Sequence, residues 1–290
     1  MHGDPALATR IEELLGSRHP VAAAALISPR DVTVAARGVG LDTAFEIGSI
    51  SKAVTGLLYA DALDRGEIRH DSALGESLPL GEVPAARLTL AALSRHRSGL
   101  PGLPRSARPL RRAFALWRHG VNPYDDSLRQ LLAQARTVRV VGPLGLAHVH
   151  LPATADELGP DALVGRSSRG RPRQPWAGEA IGPAGGIRAS IQDMARLMAA
   201  LLDGSAPGIA ALDPVAPFGK GARIGAGWIT IVVEGRQVVW HNGGTGGFRS
   251  WAGLDRESGT GAVILSATSA SVDRHGLTLL AEHTRTVTDR

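Results

Sequence analysis

Ser49 and Lys52 stand three residues apart in the run Phe45-Glu46-Ile47-Gly48-Ser49-Ile50-Ser51-Lys52. A hydroxyl with an amine at that spacing is a nucleophile with a candidate base. Lysine and arginine together number 32, yet only Lys52 and Lys220 are lysine. Arginine stays protonated in proteins, whereas a buried lysine can lose its proton and take one from a hydroxyl. A chain that writes arginine almost everywhere therefore keeps a titratable amine at this position. The S-x-x-K string is short enough to arise by chance, so its setting decides its meaning.

That setting is a helix start. From Ser49 onward Val54, Leu57, Leu58, Ala62 and Leu63 recur at helical spacing, no proline intervenes, and Gly66 supplies a stop. Ser49 falls in the first turn, where unpaired N–H groups and the positive dipole end favour negative charge on or near its oxygen. Residues three apart share a helical face, so Ser49 and Lys52 can meet while Ser51 points elsewhere. A second run, Trp240-His241-Asn242-Gly243-Gly244-Thr245-Gly246-Gly247-Phe248, sets a histidine at a strand end before four glycines. A strand edge without bulky side chains can donate N–H groups to a carbonyl oxygen, although the same run also reads as a tight hairpin. Arg249, just past the glycines, has the fork to grip a substrate carboxylate or simply solvates a strand end.

The elements that must position these groups follow from periodicity. Asp4 and Pro5 open a helix carrying Leu7, Ile11, Leu14 and Leu15. Residues 21–27 and 32–39 read as two strands of a hairpin, and 228–233, 236–241, 248–254 and 262–267 as four more. Ser190 and Asp193 cap a helix with the stripe Met194, Leu197, Met198, Leu201 and Leu202, and another helix near 277–283 ends the chain. Residues 142–183 carry Pro, Gly and Arg without a sustained period and read as an irregular surface segment. Strands at both ends with helices between imply an α+β fold: one antiparallel sheet from both chain ends, covered by helices, with a helical region inserted. The expected division is a sheet domain of 1–48 and 180–290, and a shortened helical domain of 49–179 with its loop.

Composition removes several alternatives. The absence of cysteine excludes disulfides, thiolate zinc sites and cysteine nucleophiles. The net charge of +5 and the clusters Arg105, Arg108, Arg111, Arg112, Arg118 and Arg166, Arg169, Arg171, Arg173 raise nucleic-acid binding. Aromatic residues at 4% and the lack of a recognition motif argue for solvated surface instead. There is no G-x-S-x-G elbow, phosphate-cradling loop or H-E-x-x-H pair, and the ten histidines are scattered, so neither cofactor nor metal is expected. The N-terminus leads into a charged amphipathic helix rather than an apolar signal core, and no stretch has the length of a membrane span. A cytoplasmic location, away from membranes, is the expectation.

Taken together, Ser49 and Lys52, the His96 to Pro101 stretch, Pro183-Ala184-Gly185-Gly186 and His241-Asn242-Gly243-Gly244 resemble the serine β-lactamase and penicillin-binding-protein superfamily. The likeness is to class C β-lactamase-related esterases and peptidases, in which H-x-G replaces the K-T-G strand motif. It implies that Ser49 is acylated, that Lys52 assists proton transfer, and that the Ser49 and Gly244 N–H groups form the oxyanion hole beside Gly243. His241 would contact the substrate's polar end. The implied partner is a small ester, amide or β-lactam-like molecule, with oligomeric state undetermined.

One departure bears on activity. The family's Tyr-x-Asn element, whose tyrosine shares the base role, has no counterpart: Tyr59 and Tyr124 are the only tyrosines, and neither has asparagine two places later. The chain passes from Arg139-Val140-Val141 straight to Gly142-Pro143-Leu144-Gly145, as though a block of the helical domain were missing. Lys52 must then be neutral to act alone, its pKa depressed by burial, whereas lost helical cover would admit water and raise it. His148 and His150, just past the gap, are either substitute bases or loop residues. The leading expectation is a serine hydrolase working through an acyl-enzyme on Ser49. The alternatives are a catalytically impaired relative with a binding or regulatory role, and an acyltransferase.

Overall fold

The computed structural model describes residues 1–78, 80–100, 144–178 and 181–289. Helix α1 (Pro5–Leu15) begins where its sequence dictates. The Asp4 side chain accepts the Leu7 N–H at 2.7 Å, and Pro5 occupies a first-turn position whose missing N–H costs nothing. Leu7, Ala8, Ile11 and Leu15 form its buried stripe.

Among the described residues nine strands make one antiparallel sheet. Its order is β1 (His2–Gly3), β3 (Val32–Arg37), β2 (Ala22–Ile27), β11 (Thr260–Ser266), β10 (Arg249–Asp255), β9 (Arg236–Gly244), β8 (Ile229–Val233), β7 (Arg223–Ile224) and β6 (Ala216–Pro217). The two chain ends meet where β2 pairs β11, with Ala22 opposite Ser266 and Ile27 opposite Gly261. A separate pair joins β4 (Phe45–Glu46) to β5 (Arg188–Ala189). The expected sheet from both termini is thus the one observed.

The apolar run of β2 is explained by cover on both faces. Ala23, Ala25 and Ile27 face one core, and Ala22 and Ala24 the other. One face carries α1 and the C-terminal helix α6 (Asp273–Thr288); the opposite face carries α2 (Ile50–Asp64) and α5 (Ile191–Asp203). Helix α5 is capped as read, with Ser190 Oγ accepting the Asp193 N–H at 3.1 Å and Gly204 ending it in the left-handed region. Ile50, Ala53, Val54, Leu57 and Ala60 of α2 are buried in the same core as α5 and the sheet. Burying Ile50, Val54 and Leu57 stabilises the position of α2 by about 1.5–3 kcal/mol each. Two short helices, α3 (Leu74–Ser77) and α4 (Leu90–Ser94), follow.

Two elements run beyond their expected bounds. Helix α6 starts at Asp273 and reaches Thr288, because polar and glycine residues at its ends hide it from an apolar count. Strand β9 continues past His241 to Gly244, held by pairing with β10 rather than by strand propensity. Residues 144–178 are irregular as expected, with one 3-10 turn at Ala155–Glu157, while Leu146, Val149, Leu151 and Leu163 pack on the α2–α5 core. The Arg105 to Arg118 cluster and Tyr124 lie outside the described residues. Among the described residues no helix is long and apolar enough to cross a membrane.

Candidate active site

Ser49 is the N-cap of α2, and the residue before it sets its position. Gly48 has φ 54°, and a Cβ there would collide with the Gly244 amide nitrogen. The start of α2 is thereby pressed against the end of β9. Gly243 makes a second close approach, its missing side chain leaving room for the Ile47 carbonyl, which also accepts the Ser250 hydroxyl at 2.7 Å.

One turn into α2, Lys52 Nζ donates to Ser49 Oγ at 2.9 Å and to the Ala184 carbonyl at 2.6 Å. Both partners are neutral. Burial pushes the Lys52 ammonium below the ordinary lysine range, the direction needed for a base. Ser51 points elsewhere, as its spacing predicts: it is buried and its hydroxyl accepts the Ile187 N–H at 3.3 Å.

The strand edge facing this pair is open. Thr245 N–H donates to the Phe248 carbonyl at 3.1 Å, which fixes the phase of the β9–β10 ladder. Antiparallel ladders alternate, so Gly244, opposite Arg249, directs its N–H away from β10. On the other side β8 ends with Ile229 opposite Trp240, short of Gly244. The Ser49 N–H likewise meets no acceptor among the described residues. Free backbone donors near a nucleophilic hydroxyl are what stabilisation of a tetrahedral oxyanion requires.

His241 lies on the α2 face of β9, buried, with Nδ1 2.6 Å from the Asn242 carbonyl. Only a protonated Nδ1 can serve that carbonyl, which leaves Nε2 with its lone pair. Burial first, and Lys52 and His96 after it, push His241 down to about 4. His96, at φ 54°, is held low by burial and by Lys52, and lines a cavity together with Lys52. Its place in the motif stretch was legible in the sequence; its meeting with Lys52 was not. Ala184 likewise stands in a motif stretch, but the meeting of its carbonyl with Lys52 left no signal, since a backbone acceptor is not a residue type.

The structure brings Ser49, Lys52, His241, Gly243 and Gly244 together and sets Arg249 apart. Arg249 is opposite Gly244 in the ladder, so its side chain leaves from the sheet face opposite His241. Its Nη1 donates to the Thr245 and Phe248 carbonyls at 2.8 Å each, closing the glycine turn. Asn242, of the same parity, reaches Asp273 on α6 at 3.0 Å. His148 and His150 are engaged as loop residues: the His148 N–H donates to Asp193 at 2.9 Å, and His150 exchanges backbone hydrogen bonds with Arg188. Tyr59 is ten residues beyond Ser49, about 15 Å along α2, and burial pushes its phenol up. Trp251 is fully buried and stacks on Trp240 against the α1–α6 face, so both serve packing. Among the described residues no three of His, Asp and Glu gather closely enough to hold a metal ion.

A family model described as Beta-lactamase matches residues 7–285. Among solved structures, a class C beta lactamase from Rhodobacter sphaeroides is 19% identical with a TM-score of 0.74, covering 99% of this chain and 100% of that one. A beta-lactamase/D-alanine carboxypeptidase from Pseudomonas syringae is 17% identical with a TM-score of 0.73, covering 97% and 99%. An octameric penicillin-binding protein homologue from Pyrococcus abyssi is 20% identical with a TM-score of 0.70, covering 91% and 73%. No curated protein matches the sequence.

Proposed function

Because the chain belongs to the beta-lactamase family, we propose that it is a serine hydrolase that cleaves an ester or amide through an acyl-enzyme on Ser49. The observation that carries this reading is the 2.9 Å contact between Lys52 Nζ and Ser49 Oγ, made by an amine whose remaining partner is a carbonyl. In its neutral form Lys52 keeps an N–H on Ala184 and turns its lone pair to the Ser49 hydroxyl. The Ser49 proton then passes to Nζ as Oγ bonds to the substrate carbonyl carbon. The Ser49 and Gly244 N–H groups receive the developing oxyanion. Collapse breaks the bond to the leaving oxygen or nitrogen, which takes the proton from Nζ. Water repeats the cycle, giving a proton to Lys52 while its oxygen displaces Ser49 Oγ, which recovers that proton.

The same geometry supports neutral substrates over anionic ones. His241 is uncharged near neutrality, His96 is pushed below its ordinary value, and Arg249 is turned to its own turn. The direct test is labelling with a fluorophosphonate, followed by peptide mapping and turnover of a neutral aryl acetate. Labelling at Ser49, lost in Ser49→Ala together with turnover, is expected. A label on another residue, or turnover that survives Ser49→Ala, would overturn the proposal.

A further inference from the structure

A cavity of about 460 Å³ runs along α2 beside the nucleophile and takes no part in the chemistry above. Its volume lies within the range of small-molecule sites and exceeds ordinary packing defects. Leu58, Ile68, Leu74, Leu78, Leu90 and Leu93 supply its walls, and all six are half-buried. Lys52 and His96 line it at the Ser49 end of α2, while Tyr59 lies seven residues beyond Lys52, about 10 Å along the helix. Since Lys52 Nζ also touches Ser49 Oγ, the cavity begins one side chain away from the reacting atom.

Several polar groups along the wall have partners within the protein. Thr55 Oγ1 lies 2.9 and 2.7 Å from the Ser51 and Pro183 carbonyls, which share its one proton, and Ser94 Oγ donates to the Ala91 carbonyl at 3.0 Å. Tyr59 Oη is 3.3 Å from His70 Nδ1. A polar ligand would have to compete with these bonds, whereas a hydrocarbon gains by leaving water for the leucine and isoleucine side chains that make most of the wall.

We propose that this cavity is the substrate-chain pocket of the enzyme, and that its occupant is the unbranched hydrocarbon chain of a neutral, lipophilic ester. The inference rests on the hydrolase reading. The chain enters past Lys52, from the acyl side or the alcohol side of the ester. Burying it favours longer substrates by at most about fourfold per methylene, until the Tyr59 end is reached.

The test measures kcat/KM for p-nitrophenyl acetate, butyrate, octanoate and palmitate, and in a second arm for ethyl, butyl and octyl acetate. A rise of at least about tenfold from the shortest to the octyl or octanoyl member in one arm is expected, and the arm that rises identifies the side. Leu93→Trp should lower the octanoate-to-acetate ratio at least tenfold, and Leu78→Ala should move the optimum to longer chains. Because a tryptophan can unfold the region, isothermal titration of Ser49→Ala with octanol and with ethanol gives an independent measure, with octanol alone expected to bind. Ser49-dependent acetate turnover that is flat across both arms would overturn the pocket while leaving the hydrolase intact. Loss of labelling and all turnover would overturn the hydrolase, and octanol binding to Ser49→Ala would then still decide whether the cavity takes hydrocarbon.

Discussion

Gly48 stands against the amide nitrogen of Gly244, so that the residue before the nucleophile has no room for a methyl group. The contact joins the start of α2 to the open edge of β9, next to the Ser49 N–H in the chain. Gly48→Ala meets both this collision and a left-handed φ of 54°. Turnover is expected to fall about 10²- to 10³-fold, the cost of losing an oxyanion donor, in a protein that still folds by circular dichroism. Wild-type kcat/KM in this variant would show that the two N–H groups are not the oxyanion site.

The proposed base gives a pH prediction. The free amine of Lys52 takes the Ser49 proton, so kcat/KM should rise as pH increases through the lysine pKa. Burial places that rise below the ordinary lysine range. Lys52→Arg keeps its charge at every accessible pH, and about a 10²- to 10⁴-fold loss that alkali does not restore is expected. A Lys52→Arg profile like that of the wild type would remove the amine from the mechanism.

A buried ion pair anchors the wall behind the site. Arg188 Nη1 and Glu46 Oε1 are 3.0 Å apart with both side chains almost fully buried, and Arg188 Nη2 also donates to the Leu163 carbonyl at 2.9 Å. Removing one partner leaves an uncompensated charge, so Arg188→Met or Glu46→Ala should each cost about 3–5 kcal/mol. Urea denaturation checks the value, and the double variant Glu46→Leu/Arg188→Met should recover part of it. Single variants as stable as the parent would contradict this account.

Acid should destabilise the fold through two histidines. Burial pushes His19 and His241 down to about 4, so the unfolded chain binds more protons than the native one between pH 4 and the ordinary histidine value near 6.5. Stability therefore rises with pH across that window and is lost as pH falls through it. His241 alone contributes up to about 3 kcal/mol. Thermal melts between pH 4 and 7 should show the fall, and His19→Gln should flatten part of it. A melting temperature constant over the window would refute the assignment.

What the sequence determined is local. Ser49 and Lys52 meet because three residues along one helix bring side chains to the same face, whatever the rest of the chain does. The caps at Asp4 and Ser190 and the apolar strand residues 22–27 are likewise set by near neighbours and by burial. What only tertiary structure decided depends on distant segments packing together. Ala184 accepts from Lys52 across 132 residues, and Glu46 finds Arg188 across 142. Parity along β10 turned Arg249 away from the cleft, although its sequence position beside the glycines invited a role there. His96 and the leucines of the cavity share a wall because α2, α3 and α4 enclose one space. Periodicity along a chain fixes which residues share a face; it carries no record of which faces meet, because that choice is made by the burial of the whole core at once.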